Sequence, residues 1–200
     1  MERSHFEQQF IALQPQLRSY LYRITCNREL ADDLAQDTYL KAVRALNSFQ
    51  EKSSLKTWVF QIATNLAKDQ FAVQRRFTDS AQDKAKLKAL TDAQTSHRIT
   101  EAFQSQPDQH FDVREHISFC FTCLSKTLYL EEQIAVVLAD MYDFKRTEIG
   151  TVLGRTEGVV KHLLFNGRKR LQDKFHQRCA LVNKQGACYQ CAELSDYYNS

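Results

Sequence analysis

Four of the six cysteines form two Cys-x-x-Cys pairs, a spacing at which two thiolates can bind one metal ion. The pairs are Cys120 with Cys123 and Cys188 with Cys191. Together they could supply a tetrahedral zinc site, if the fold brings these distant pairs together. A redox-labile pair and unpaired thiols remain as alternatives. A thiol oxidoreductase would require a βαβ context around the motif, and none is predicted.

The second chemically distinctive stretch is strongly basic. Between Arg155 and Arg178 there are seven lysines or arginines and only two acidic residues. A short apolar helix and Gly154 precede it, which is the order of a helix-turn-helix whose second helix enters the DNA major groove. The alternative is an ordinary amphipathic helix with a solvated basic face.

The period of this basic helix separates an inward side from an outward side. Gly154 is expected to end the preceding helix, and Thr156 is expected to cap the basic one. The residues predicted to pack inward are Val159, Val160, Leu163 and Leu164. The residues predicted to reach base edges and phosphates are Arg155, Thr156, Glu157, Lys161, His162 and Arg168.

An acidic ridge lies far upstream of the basic helix. Glu29, Asp33 and Asp37 recur every four residues, so they share one helix face, with Asp32 beside them. Such a ridge is usually just a solvated face. In a chain that also binds DNA, phosphates would repel it, so a positively charged protein partner is the natural explanation.

The elements that position these residues are predicted to be helices. Only 5 glycines and 2 prolines occur in 200 residues, which is against an all-β fold. The predicted helices cover about 4–23, 28–46, 55–76, 130–142, 147–153 and 156–177. Pro15 is expected to bend or interrupt the first helix. The side chains of the third helix that are expected to face the core are Trp58, Ile62, Leu66 and Ala67.

Several classes of protein are disfavoured by the sequence. No apolar run approaches the roughly 18 residues that cross a bilayer, and the first residues lack a signal-peptide pattern. A cytoplasmic protein without membrane association is therefore expected. A Gly-rich phosphate loop, a catalytic triad pattern and a paired-carboxylate site are all absent from the sequence, so an enzyme is not indicated.

Two strings, from Glu29 to Ala42 and from Leu55 to Ala67, resemble the promoter-melting domain of bacterial RNA polymerase sigma factors. They are most similar to the small two-domain group called extracytoplasmic function (ECF) sigma factors. The stretch from Glu148 to Leu171 resembles the second domain of that group. Glycines stand at 150 and 167 where the family usually has alanine, and each should weaken its helix by up to about 1 kcal/mol.

The resemblance implies an all-α fold with two small helical domains. It implies a region 2 domain over 1–76, a linker over 77–112, a region 4 helix-turn-helix domain over 113–178 and a cysteine-containing tail over 179–200. Some ECF sigma factors carry cysteine-rich metal-sensing extensions, and this tail is loosely similar to them. No cofactor would be required, although zinc at the four paired cysteines stays an expectation.

The function implied is that of a sigma factor, a non-enzymatic protein that binds core RNA polymerase and directs initiation at promoters. Its partners would be the polymerase, promoter DNA and an anti-sigma factor. The alternative is a stand-alone helix-turn-helix regulator, which would leave the acidic ridge without a role.

The resemblance also assigns contact residues. The polymerase would be bound by Asp32, Asp33, Gln36 and Asp37. The promoter −10 element would be bound by Lys56, Trp58, Asn65, Lys68 and Asp69, although the favoured interpretation of Trp58 is a core residue. The −35 element would be bound by the six outward-facing residues of the basic helix.

Overall fold

The computed structural model describes residues 2–25, 27–73, 125 and 128–178. The regular elements in these ranges are helical, as predicted. They are α1 (Arg3–Thr25), α2 (Arg28–Ala45), a 3-10 turn (Leu46–Ser48), α3 (Leu55–Val73), α4 (Leu130–Tyr142), α5 (Arg146–Leu153) and α6 (Glu157–Arg178). The predicted linker, the tail and all six cysteines lie outside the described residues, so those predictions stay open.

Helix α1 is continuous through Pro15, so the predicted interruption is wrong. Proline removes one backbone hydrogen bond from the helix interior. Here Pro15 is exposed, and apolar residues on both sides of it are buried in the same core. Packing of the whole stripe therefore outweighs the local cost. The buried side chains of the stripe are Phe6, Phe10, Leu17, Tyr20, Leu21 and Ile24.

Side-chain caps fix where α2 and α3 begin. The backbone N–H of Leu30 donates to Oδ1 of Asn27 at 3.1 Å, and the N–H of Thr57 donates to Oγ of Ser54 at 3.1 Å. Each bond satisfies a donor that the helix itself leaves without a partner. These caps set the register of the acidic ridge on α2 and of the Trp58 helix.

The buried face of α3 is wider than the predicted one. Trp58, Ile62 and Leu66 are half-buried and pack against the core, and Ala67 is fully buried, as expected. The side chains of α3 in the core are Leu55, Val59, Phe60, Ala63 and Ala67. The buried face is wide because α3 packs against α1 and α2 on one side and against α5 on another.

Helices α4 to α6 form a second group around α4, whose residues 134–138 have no exposed surface. Gly154 ends α5 in the left-handed conformation, with φ of 65°, as predicted. Gly167 lies where α6 meets α4, and a Cβ there would come within 2.8 Å of Cγ2 of Val136. Glycine at 167 thus allows the two helices to approach more closely than alanine would.

The two helix groups pack against each other, through α3 with α5 and α1 with α4. Aromatic rings lie at this boundary. The ring of Phe60 lies 5.0 Å from that of Phe144 and 6.1 Å from that of Tyr142, which also meets Tyr20 edge-on at 5.9 Å. Within the residues that the structure describes, no helix is both long and apolar enough to cross a bilayer.

Candidate functional site

The exposed side of α2 carries the acidic face, defined as Asp32, Asp33, Gln36 and Asp37. Helical spacing turns Ala31, Leu34, Ala35 and Thr38 inward, where they are buried. Asp33, Gln36 and Asp37 are exposed, and neither aspartate forms an ion pair with another described residue. The structure thus places the four residues together on one solvent-facing surface of negative charge.

Asp32 differs from its neighbours because it is already neutralised. Its Oδ1 accepts a hydrogen bond from Nε of Arg18 on α1, at 2.7 Å. This bond holds the pKa of the Asp32 carboxyl below its ordinary value. Asp33 and Asp37 therefore supply most of the uncompensated charge of the acidic face.

Two exposed apolar side chains beside the acidic face were missed from the sequence. Ile11 is 67% exposed and Leu40 is 48% exposed, and both line a shallow groove between α1 and α2 that also includes Gln36. Ile11 falls outside the buried stripe of α1, and that is the signal in the sequence that could have identified it. The groove extends the candidate protein-binding surface with apolar area.

The basic surface lies on and just before α6. All six residues predicted to face DNA are exposed. Thr156 caps the helix, because its Oγ1 accepts a bond from the N–H of Val159 at 3.4 Å. Val160 and Leu164 are buried as predicted, but Val159 is 41% exposed, so its inward assignment is wrong. Only one side of α6 is covered by α4 and α5, which leaves Val159 in solvent.

The arginines of the basic surface are held by acids of α4. Arg155 makes two bonds to Glu131, from Nε to Oε2 and from Nη2 to Oε1, each 3.1 Å long. Arg168 makes two bonds to Asp140. In contrast, Lys161 has no ion pair with any described residue. The guanidinium groups of Arg155 and Arg168 are thus held in position by carboxylates, whereas the ammonium group of Lys161 is exposed and uncompensated.

Phe165 is a further residue that the sequence analysis missed. It lies on α6 and is 66% exposed, between the positions of Lys161 and Arg168. An apolar ring on the outward side of a helix that enters the major groove can contact the methyl group of thymine. Phe165 falls outside the buried apolar stripe of α6, and that is the signal in the sequence that could have identified it.

The residues predicted to bind the −10 element fall into two groups. Lys56 and Lys68 contact the second helix group: Lys56 Nζ donates to the carbonyl of Tyr142 at 3.1 Å, and Lys68 Nζ donates to Oε1 of Glu131 at 3.0 Å. Asn65 and Asp69 are exposed.

Trp58 lies at the edge of the core rather than inside it. Its ring is half-buried and packs against Phe49 in the loop before α3, with ring centroids 4.7 Å apart. The structure therefore brings Trp58 next to that loop, and it does not gather the five predicted residues into one patch.

Glu131 connects the two helix groups and was not identified from the sequence. Its carboxylate accepts bonds from Lys68 and from Arg155. Partial burial would raise the pKa of Glu131, but the bonds from Arg155 and Lys68 outweigh this effect, so the pKa lies below its ordinary value. In the sequence, Glu131 resembles any acid in the first turn of a helix, where the helix dipole favours negative charge.

Comparison with known proteins shows what this chain is similar to. The profile described as Sigma-70 region 2 matches residues 10–77, which include the acidic face and α3. Over a larger part of its length, the chain is similar to ECF sigma factors.

One relative of this chain is EcfG of Rhodopseudomonas palustris, an ECF RNA polymerase sigma factor. It is 26% identical over 162 residues, which are 80% of this chain and 80% of EcfG. SigG of Mycobacterium tuberculosis is 27% identical over 78% of this chain, but the match spans only 45% of SigG.

A solved structure shows the same fold. Sigma factor RpoE of Bartonella quintana, crystallised with the anti-sigma factor NepR, has a TM-score of 0.58 and 20% identity. The match covers 84% of this chain and 95% of RpoE.

Proposed function

We propose that this chain is an ECF sigma factor, which binds core RNA polymerase and directs it to promoters defined by −10 and −35 elements. The observation that carries the proposal is the acidic face. It presents two uncompensated aspartates within the region 2 match, on a chain whose other exposed functional surface is basic. A protein that recruits a polymerase to a promoter needs one surface for the polymerase and another for DNA. This chain carries a surface suited to a positively charged protein and a surface suited to DNA.

The acidic face would dock on a positively charged helical part of the polymerase. Asp33 and Asp37 lie one helical turn apart, so they can meet cations spaced along a partner helix. Gln36 between them can both donate and accept hydrogen bonds. The apolar groove lined by Ile11 and Leu40 would add buried contact area beside this charged centre.

The basic surface would bind the −35 element as duplex DNA. Arg155, Thr156, Glu157, Lys161 and His162 lie at or near the start of α6, the part of a recognition helix that reaches base edges. Arg168 lies further along, where it would pair with a phosphate. Binding of this kind weakens with added salt because phosphates release their counterions.

The loop before α3 and α3 itself would bind the opened −10 element. Trp58 and Phe49 offer two aromatic rings in contact at the loop, and Asn65 offers an exposed amide. Unpaired bases stack well on aromatic side chains, and an amide can bond a base edge. Asp69 is also exposed on α3, whereas Lys56 and Lys68 contact the second helix group and would have to leave those contacts to reach DNA.

Reconstituted transcription tests the proposal. The purified chain would be added to core polymerase that lacks any sigma factor, with fragmented DNA of the source organism as template. Discrete run-off products are expected, and they should disappear when Asp33 and Asp37 are both changed to lysine. The control is a chain with Glu2→Lys and Asp173→Lys, which changes the net charge equally at exposed positions outside the proposed sites.

The stand-alone helix-turn-helix regulator is the other outcome of this experiment. It would give no run-off product but would bind one duplex sequence tightly without polymerase. A sigma factor works where the polymerase is, so we place this protein in the cytoplasm and assign it no catalytic activity. RpoE is crystallised with an anti-sigma factor, and a similar inhibitor is a proposed further partner here.

We also propose zinc binding by Cys120, Cys123, Cys188 and Cys191, supported by their Cys-x-x-Cys spacing. The reduced chain would be titrated with zinc or cadmium while thiolate absorbance is followed. One tight equivalent that is lost when Cys188 and Cys191 become serine would support the site. Lack of tight binding by the reduced wild-type chain would exclude it.

A further inference from the structure

We infer that Phe165 and Asn166, on the outward side of α6, read A·T base pairs within the −35 element. The inference rests on the proposed function, in which α6 enters the major groove of that element, and it names the bases that the helix selects. Neither residue is among the six that the resemblance assigns to the −35 element, so the two would be additional determinants of promoter choice.

The outward side of α6 is the side opposite Val160 and Leu164, which are buried. At 3.6 residues per turn, four side chains project most directly away from that buried stripe. They are His162, Phe165, Asn166 and Lys169. All four are exposed, so this side of the helix is available to a ligand along two turns.

The spacing of these four residues is i, i+3, i+4 and i+7. The recognition helix of a homeodomain presents its base-contacting residues with this same spacing, and there the residue at i+4 is an asparagine that binds adenine. Asn166 occupies the i+4 position here. Helix α6 has 22 residues and is therefore about 33 Å long, so a helix lying along the groove presents its central turns to base edges.

The chemistry of the two side chains matches that of an A·T pair. In the major groove, adenine offers the N7 acceptor and the N6 donor, and one side-chain amide can bond both at once. The amide of Asn166 is exposed and forms no hydrogen bond among the described residues, so it is available for such a contact. The ring of Phe165 is 66% exposed and can contact the methyl group of thymine.

The arginines beside this side of α6 are already paired. Arginine is the side chain that most often reads guanine, through its O6 and N7 atoms. Arg155 is held by Glu131 and Arg168 is held by Asp140, each through two bonds. Reading guanine with either arginine would break an ion pair, whereas reading adenine with Asn166 breaks none. This difference favours A·T pairs at the centre of the contact.

The test selects DNA with the full chain, both alone and bound to core polymerase. The probe is a pool of short DNA duplexes with a randomised segment, and sequencing of the bound fraction gives the base preference at each position. The variants are Phe165→Ala, Asn166→Ala and Asn166→Arg. Gln177→Ala is the matched control, because it truncates an exposed amide of the same helix about three turns beyond Asn166.

The wild-type chain is expected to enrich duplexes with adenine at one position and thymine at or next to it. Asn166→Ala should lose the preference for adenine and bind the selected duplex about tenfold more weakly. Asn166→Arg should change the preference at that position from adenine to guanine, a result that misfolding cannot produce. Phe165→Ala should lose the preference for thymine, and Gln177→Ala should keep both preferences.

Base analogues in the selected duplex identify the atoms in contact. Uracil in place of thymine removes only the methyl group, and it should weaken wild-type binding about fourfold while leaving the affinity of Phe165→Ala unchanged. Replacing adenine with 7-deazaadenine removes the N7 acceptor. This change should weaken binding by the wild-type chain but not by Asn166→Ala.

If Phe165→Ala and Asn166→Ala both keep the base preferences of the wild-type chain, the inference is wrong and the proposed function still stands. If the wild-type chain enriches no sequence, either alone or with polymerase, the assignment of α6 to the −35 element is overturned together with this inference. The two failures are thus distinguished within one experiment.

Discussion

The acidic face of α2 and the basic surface of α6 are both exposed and charged, but they differ in how their charges are compensated. On the acidic face, Asp33 and Asp37 have no ion-pair partner among the described residues. On the basic surface, Arg155 and Arg168 are each held by a carboxylate of α4 through two bonds. Asp33 and Asp37 can meet a partner directly, whereas Arg155 and Arg168 must exchange an internal carboxylate for an external anion.

This difference suggests an order of events. An uncompensated patch attracts an oppositely charged protein over a distance and speeds the encounter. Paired arginines are pre-positioned, but they bind phosphate only when the gain exceeds the loss of their carboxylate. Binding to polymerase is therefore expected to come first, and engagement of the −35 element second.

Charge reversal of the acidic face should have the largest effect. Changing Asp33 and Asp37 to lysine places two cations against a positively charged partner, and we expect polymerase affinity to fall at least about a hundredfold. The affinity would be measured by fluorescence titration at two salt concentrations. A loss equally large in the Glu2→Lys and Asp173→Lys chain would mean that net charge, not the acidic face, determines binding.

A substitution that pushes α6 away from α4 should have the next largest effect. It would disturb the pairs that Arg155 and Arg168 form with carboxylates of α4. Gly167→Ala puts a Cβ within 2.8 Å of Val136 and 3.3 Å of Glu132, and we expect the free energy of unfolding to fall by about 1–3 kcal/mol. Urea unfolding measures the change.

Gly158→Ala is the matched control on the same helix. Its Cβ would meet only Oγ1 of Thr156 at 4.0 Å, so helix propensity should make this variant neutral or slightly stabilising. Equal destabilisation by the two substitutions would show that close approach at Gly167 is not what positions α6.

The lysine and arginine of the basic surface should respond differently to loss of charge. Lys161 has no internal partner, so Lys161→Ala should weaken −35 duplex binding about fivefold and reduce the salt slope by about one. Arg155→Ala should cost less in the isolated chain, since Glu131 already compensates that charge. Duplex affinity measured across a salt series tests this, and identical slopes for both variants would contradict it.

The smallest expected effect is a difference in polymerase affinity between variants of two neighbouring aspartates on the acidic face. Asp33→Asn should weaken polymerase binding by about fivefold, whereas Asp32→Asn should change it less than about twofold, because Arg18 already neutralises Asp32. The two substitutions are chemically identical, so each is the control for the other. A larger loss from Asp32→Asn would mean that Arg18 releases Asp32 when the polymerase binds.

Local features were predictable from the sequence, and contacts between distant segments were not. The helix-end residues Thr156 and Gly154 follow from chemistry within a few residues, and they were predicted correctly. The full width of the buried side of α3 was missed because packing against α5 cannot be read from the period of α3 alone. The continuity of α1 at Pro15 likewise depends on tertiary packing.

The candidate sites show the same division. The acidic face was found because its members repeat along one helix, and the exposed residues of α6 because they follow a recognisable turn. Glu131 was missed because its partners, Lys68 and Arg155, are far away in sequence and no local pattern connects them. The sequence pattern of a single helix does not indicate how the two helix groups pack against each other.

The position of Trp58 gives the protein a natural optical probe. Trp58 is the single tryptophan of the chain, and it is half-buried against Phe49 beside the proposed −10 surface. A base that stacks on these rings would quench or shift the indole emission. Promoter opening could therefore be followed in real time with the unlabelled protein, provided that the emission of the polymerase is subtracted.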